Sequence, residues 1–153
     1  MRAVEPWVVA PLEAFLHESQ AKLCLLMTTA GQVIAQHGFV RAVDVMGVAA
    51  LGAGIVASTG ELARTLSWPP FGMVVHQGPQ QAHLLASFDT PRGRWIALVV
   101  FGTDTSLGLV QLFLEQLVQD LAAAAPAAPA PQPVLAADFE RELNSSLRTL
   151  FGS

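Results

Sequence analysis

The chain reads as an α/β (α+β) two-layer sandwich: a five-stranded antiparallel sheet with helices on both faces, in the order α-β-β-α-β-β-β-α, plus an appended C-terminal helix. Three observations carry this expectation. The stretch Ala42 to Leu66 is free of proline and its apolar residues recur at helical spacing. Three strand-like runs follow it, separated by Gly78-Pro79 and Asp89-Thr-Pro-Arg-Gly93. After the last strand, two further apolar stripes of helical period flank an alanine- and proline-rich segment.

Pro11 to Gln20 opens with a proline at a position that a first helical turn tolerates, and Leu12, Phe15 and Leu16 share one side, which predicts a short helix. Lys22 to Thr28 is a continuous apolar run and Val33 to His37 resumes strand character, so the pair predicts a hairpin turning at Gly31. In the long helix, Val48, Leu51, Ile55, Leu62 and Leu66 fall together on the wheel and are expected to face the core. Ser67-Trp-Pro-Pro-Phe-Gly ends it, because proline neither donates nor continues a helix. Gly72–Gln77, Gln81–Phe88 and Arg94–Phe101 are the next strands, the third apolar on both faces and therefore central. Thr103 or Thr105 caps a helix running to Leu121 with Leu107, Val110, Leu114, Leu117 and Leu121 inward. The expected organisation is one domain over 7–122, a semi-extended linker over 123–134 and an amphipathic helix over 135–151, striped by Leu135, Phe139, Leu143, Leu147 and Leu150.

Apolar residues make up 52% of the chain and charged ones 13%, about half the usual charged share, which favours burial of surface between copies. A net charge of −4 with eight scattered Lys and Arg gives no basic patch, so nucleic acid is not an expected partner. The start MRAVEPW lacks the regions of a secretory signal, and a single cysteine, Cys24, excludes an internal disulfide. A cytoplasmic location is the expectation. The uncharged run Val45 to Gly60 falls short of the roughly 20 residues of a membrane span.

Several patterns invite a chemistry that the residues around them do not support. Gly52-Ala-Gly-Ile-Val-Ala57 fits a dinucleotide fingerprint, but no strand precedes it and no carboxylate follows at the ribose distance. Gly102-Thr-Asp-Thr-Ser-Leu-Gly lacks the lysine of a phosphate loop. His17, His37, His76 and His83 show no ligand spacing and no acidic company, and Cys24 sits in an apolar run, so neither a metal, a cofactor nor a catalytic residue is expected. His76 and His83 could face each other across the Gly78-Pro79 turn; two ordinary strand residues is the simpler expectation.

One row of the long helix is smooth: Gly47, Ala50, Gly54, Ala57 and Glu61. Glycine in a helix costs roughly 1 kcal/mol against alanine, so a close approach of another backbone is the expected compensation. Val75-His-Gln-Gly78, the passage Leu98-Val-Val-Phe101 with Ser106-Leu-Gly-Leu-Val110, and the Leu-x-x-x-Phe-x-x-x-Leu helix ending Leu150-Phe-Gly152 resemble the roadblock (dynein light chain) family. Within it, the resemblance is to the MglB-like bacterial gliding-motility regulators and spans about residues 10–151. It implies a homodimer whose long helices lie side by side and whose edge strands pair. Gly47, Ala50, Gly54, Ala57 and Glu61, with Met73 and Val75 of the edge strand, are the expected interface. It also implies a Ras-like small GTPase (MglA-type) as partner, with GTP hydrolysis accelerated without an arginine finger; a scaffold that leaves turnover unchanged is the alternative. Met46, Ala53, Gly60 and Arg64 lie opposite Val48 and Ile55 on the wheel and are expected to face that partner.

Overall fold

A computed structural model of the chain describes residues 2–39, 44–126, 141 and 143–150. Helices α1 (Val9–Ser19), α2 (Val45–Thr65) and α3 (Leu107–Ala124) accompany six strands among the described residues. These are β1 (Arg2–Ala3), β2 (Leu23–Thr28), β3 (Val33–Gly38), β4 (Met73–Gln77), β5 (Ala82–Thr90) and β6 (Gly93–Phe101). They form one sheet in the order β1-β3-β2-β6-β5-β4, antiparallel throughout. The five expected strands and their order are present. β1 is an addition, and at two residues it is too short to leave a periodic signal. Residues 143–150 are helical, with Leu143, Leu147 and Leu150 exposed; Leu135, Phe139 and most of the expected linker lie outside the described residues.

Strand alternation divides the core in two. Cys24 and Leu26 of β2, Leu84 and Phe88 of β5, and Ala97 and Val99 of β6 face α1 and α3, meeting Leu12, Phe15, Val110, Leu114, Leu117 and Leu121. Leu25 and Met27, Leu85, Ile96 and Leu98 point to the opposite face, where α2 lies. β6 is paired on both sides, by β2 and β5, as its two-sided apolarity predicts. The β2–β3 hairpin turns at Gly31, whose φ of 86° only glycine adopts without strain, and whose missing Cβ would lie 3.2 Å from the Ala50 Cα.

The helix ends depart from expectation in small, explicable ways. A 3₁₀ turn, Pro6–Val8, leads into α1, so Pro11 still falls where its absent N–H is not missed. Ser106, not Thr103 or Thr105, caps α3 by accepting from the Leu109 N–H. α2 stops at Ser67, whose φ of 57° is left-handed and whose N–H donates to the Arg64 carbonyl; Pro69 and Pro70 come after the end.

The larger correction concerns α2. Its buried residues are Ala49, Gly52, Ala53 and Ala63, with Val45, Val48, Ile55 and Val56 half-buried beside them. Leu51, Leu62 and Leu66, expected in the core, are exposed. The helix is seated too close to the sheet for leucine: a Cβ on Gly52 would stand 3.2 Å from both Leu85 Cδ2 and Leu98 Cδ1. Gly52→Val is therefore expected to destabilise the domain by about 1–3 kcal/mol in urea titration, through overpacking. Gly54→Val, where an added Cβ meets nothing within 4 Å, should lack that penalty. Ending the chain after Ala125 should leave the unfolding transition in place, because the buried hydrophobic side chains among the described residues all lie between Val8 and Leu121.

Candidate functional site

Seating α2 through its small residues leaves its outer face apolar and, among the described residues, uncovered. Met46 is 78% exposed, Leu51 71% and Leu62 52%, with Ala50, Gly54 and Ala57 exposed among them. By length and composition alone α2 could cross a membrane, with a mean hydropathy of 1.5 over its most apolar stretch, yet only 17% of that stretch is buried. An apolar helix lying on a sheet with its outer half exposed is the largest unpartnered apolar feature among the described residues of α2 and its surroundings. Beyond the helix end, Trp68 and Phe71 are exposed and meet edge to face at 6.1 Å. Read from the sequence, Ser67-Trp-Pro-Pro-Phe is only a helix stop, and the aromatic pair goes unseen. Two aromatics beside prolines, with no apolar period to bury them, are the available signal.

β4 borders the same surface. It pairs only with β5, so its outer backbone groups have no partner among the described residues. The other long outer strand, β3, is covered by β1. An open edge of five residues is a template for another strand.

The expected interface residues fall into two groups. Ala50, Gly54, Ala57 and Glu61 lie on the outer face of α2 as expected. Gly47 is half-buried and has a local reason to be glycine: its N–H donates to the Asp44 cap, and a Cβ would stand 2.6 Å from that carboxylate. Met73 and Val75 belong to the edge strand, but their side chains pack on the α1 and α3 side, Gln111 Nε2 lying 3.1 Å from the Met73 sulfur. Of the expected partner residues, Met46, Gly60 and Arg64 are not enclosed by the core. Ala53 is: it faces the sheet, 7% exposed, because the inward side of α2 is the small-residue side. Glu61 and Arg64, expected on separate surfaces, form one ion pair, with Arg64 Nε 3.1 Å from Glu61 Oε2.

The remaining chemical candidates resolve by position. Gly52–Ala57 lies inside α2 with Gly52 buried, so its amides belong to the helix rather than to a phosphate loop. Cys24 is fully buried, and burial pushes its thiol well above the ordinary range, which leaves it inert. His76 and His83, expected to be ordinary strand residues, stand directly opposite in the β4–β5 register, His76 Nδ1 lying 2.9 Å from His83 Nε2.

Known structures resemble this arrangement closely. Myxococcus xanthus MglB superposes with a TM-score of 0.70 at 27% identity, over 78% of this chain and 95% of that one. The gliding protein MglB of Thermus thermophilus gives 0.67 at 29% identity, over 78% of this chain and 88% of that one. A roadblock/LC7 domain from Streptomyces avermitilis gives 0.63 over 74% of this chain and 93% of that one; at 15% identity it speaks for the fold alone. No protein-family model and no curated protein sequence matches the chain. Covering 74–78% of the chain, these likenesses show a roadblock-domain, MglB-like fold.

Proposed function

We propose that this chain is a non-enzymatic, homodimeric regulator that binds a Ras-like small GTPase of the MglA type and raises its GTP turnover in the cytoplasm. The observation that carries the reading is the uncovered apolar face of α2 beside the open edge of β4. A two-fold through that region would pair β4 with its copy into one continuous sheet and lay α2 against α2 through Ala50, Gly54 and Ala57. One patch then serves both sides, and Leu51 and Leu62 are covered. A further MglB, 27% identical, was solved in a tetrameric arrangement, which supports self-assembly.

The GTPase surface follows from what the dimer leaves free. Met46, Gly60 and Arg64 border the paired helices, and Trp68 and Phe71 extend them. A flexible thioether, two aromatics and one arginine are residue types suited to binding hot spots. With one such platform across the two-fold, one GTPase per dimer is expected.

Light scattering should give a dimer for the native chain and a folded monomer for Gly54→Leu. The added side chain has open space within one protomer, so its effect falls on the contact between copies. A monomeric native chain, or an unshifted variant, overturns the dimer. Met46→Asp and Arg64→Glu should each weaken GTPase binding about tenfold or more in calorimetry, the loss of roughly one hot-spot contact, while leaving the dimer intact. Single-turnover GTP hydrolysis, with and without the native chain, then tests activation; binding with unchanged turnover assigns the dimer to scaffolding instead.

A further inference from the structure

Between α2 and the β4–β5 hairpin lies a cleft of about 590 Å³, walled by Val48, Leu51, Ile55, Leu85 and Val100. Among the described residues that line it, the titratable side chains are His76 and His83. Their strands are antiparallel neighbours and the two residues are directly opposed, so the imidazoles meet without any long-range constraint. Ring centroids are 4.8 Å apart and the rings are tilted by 47°, which brings one nitrogen of each ring to a separation of 2.9 Å.

We propose that His76 and His83 form a two-imidazole site for a divalent transition metal, suited to copper(II) or nickel(II). Metal–imidazole bonds of roughly 2.0–2.1 Å place two ligand nitrogens about 2.9 Å apart at a right angle and about 3.3 Å apart at the tetrahedral angle. The spacing here is that of an imidazole–imidazole hydrogen bond, and it equally accommodates the right angle of tetragonal geometry, which copper(II) and nickel(II) favour with nitrogen and oxygen ligands. His76 is exposed within one protomer, on the strand that the proposed dimer pairs, so the remaining positions fall to water or to groups of the second copy. His83 is half-buried, and burial, reinforced by the neighbouring His76, holds its pKa below the ordinary value. No cation stands among the cleft residues to repel a metal, and no carboxylate to draw calcium or magnesium.

The test is calorimetry of the full chain, free of any affinity tag, with CuCl₂, NiCl₂, ZnCl₂ and MgCl₂ in a non-chelating buffer at about pH 7.5. The expected result is one copper or nickel per chain with a Kd below about 100 μM, weaker zinc binding and no magnesium binding. His76→Asn and His83→Asn should each weaken binding at least about tenfold, and His17→Asn, which alters a histidine on α1, should not. Copper(II) should also broaden the imidazole resonances of His76 and His83 selectively in the native chain, a readout that needs no variant. Absent binding, binding that survives both strand variants, or broadening centred on His17 or His37 overturns the site and leaves the pair a hydrogen bond only.

Discussion

The constraint on which the rest of this molecule depends is the close seating of α2 on the sheet. Ala49, Gly52, Ala53 and Ala63 are the contact, and a Cβ on Gly52 would stand 3.2 Å from both Leu85 Cδ2 and Leu98 Cδ1, tighter than ordinary packing. A helix this near accepts only small residues on its inner side, since core packing is already dense. Leucine and methionine are thereby excluded inward and appear on the outer side, where nothing among the described residues buries them. The apolar outer face follows from the geometry of the inner one, together with the chain's low charge content. The opposite face of the sheet has no such constraint: Val110, Leu114, Leu117 and Leu121 fill an ordinary gap between α3, α1 and the strands.

This asymmetry explains what is legible in the sequence. The α3 stripe and the two-sided β6 can be read because large apolar residues there do point inward. The same rule, applied to α2, turns the helix by about a quarter of a turn, placing Leu51 and Leu62 in the core and Ala53 outside. A wheel ranks faces by hydrophobicity, and that ranking inverts where close approach selects for small size. The smooth row is nonetheless right in placing Ala50, Gly54 and Ala57 outward, because smallness alone singles it out. Strand β1 leaves no periodic trace, and the choice among Thr103, Thr105 and Ser106 as cap depends on backbone geometry that composition does not encode. Met73 and Val75 fall on the expected strand, but which face they take is fixed by register alone.

Charge is sparse on the α2 surface, and its placement is informative. The exposed Glu61–Arg64 pair contributes about 0–1 kcal/mol to stability at most, so it does not hold the fold together. Arg64 also lies in the last turn of α2, where a cation complements the helix dipole. The pair is a polar feature on a helix face whose exposed large side chains, Met46, Leu51 and Leu62, are apolar, and a partner of the proposed kind would have to match or displace it. Affinity in such a surface comes from the apolar groups, and orientation from the charges.

The cleft and its histidine pair descend from the same seating of α2. The helix closes on the sheet at Gly52, over Leu85 and Leu98, and beside that contact the half-buried Val48 and Ile55 wall the open cleft. Register completes the arrangement. The Gly78 N–H donates to the Gln81 carbonyl at 2.7 Å, closing the turn so that His76 opposes His83 and Val74 opposes Leu85. Val74 and Leu85 both pack beneath α2. A slip of one residue in β4 would swing Val74 and His76 to the α3 side and bring Met73 and Val75 under the helix instead. The packing that holds Val74 against Leu85 therefore also holds the imidazoles in contact. A site on the lining of the cleft needs no separate scaffold, because its alignment is a by-product of the core.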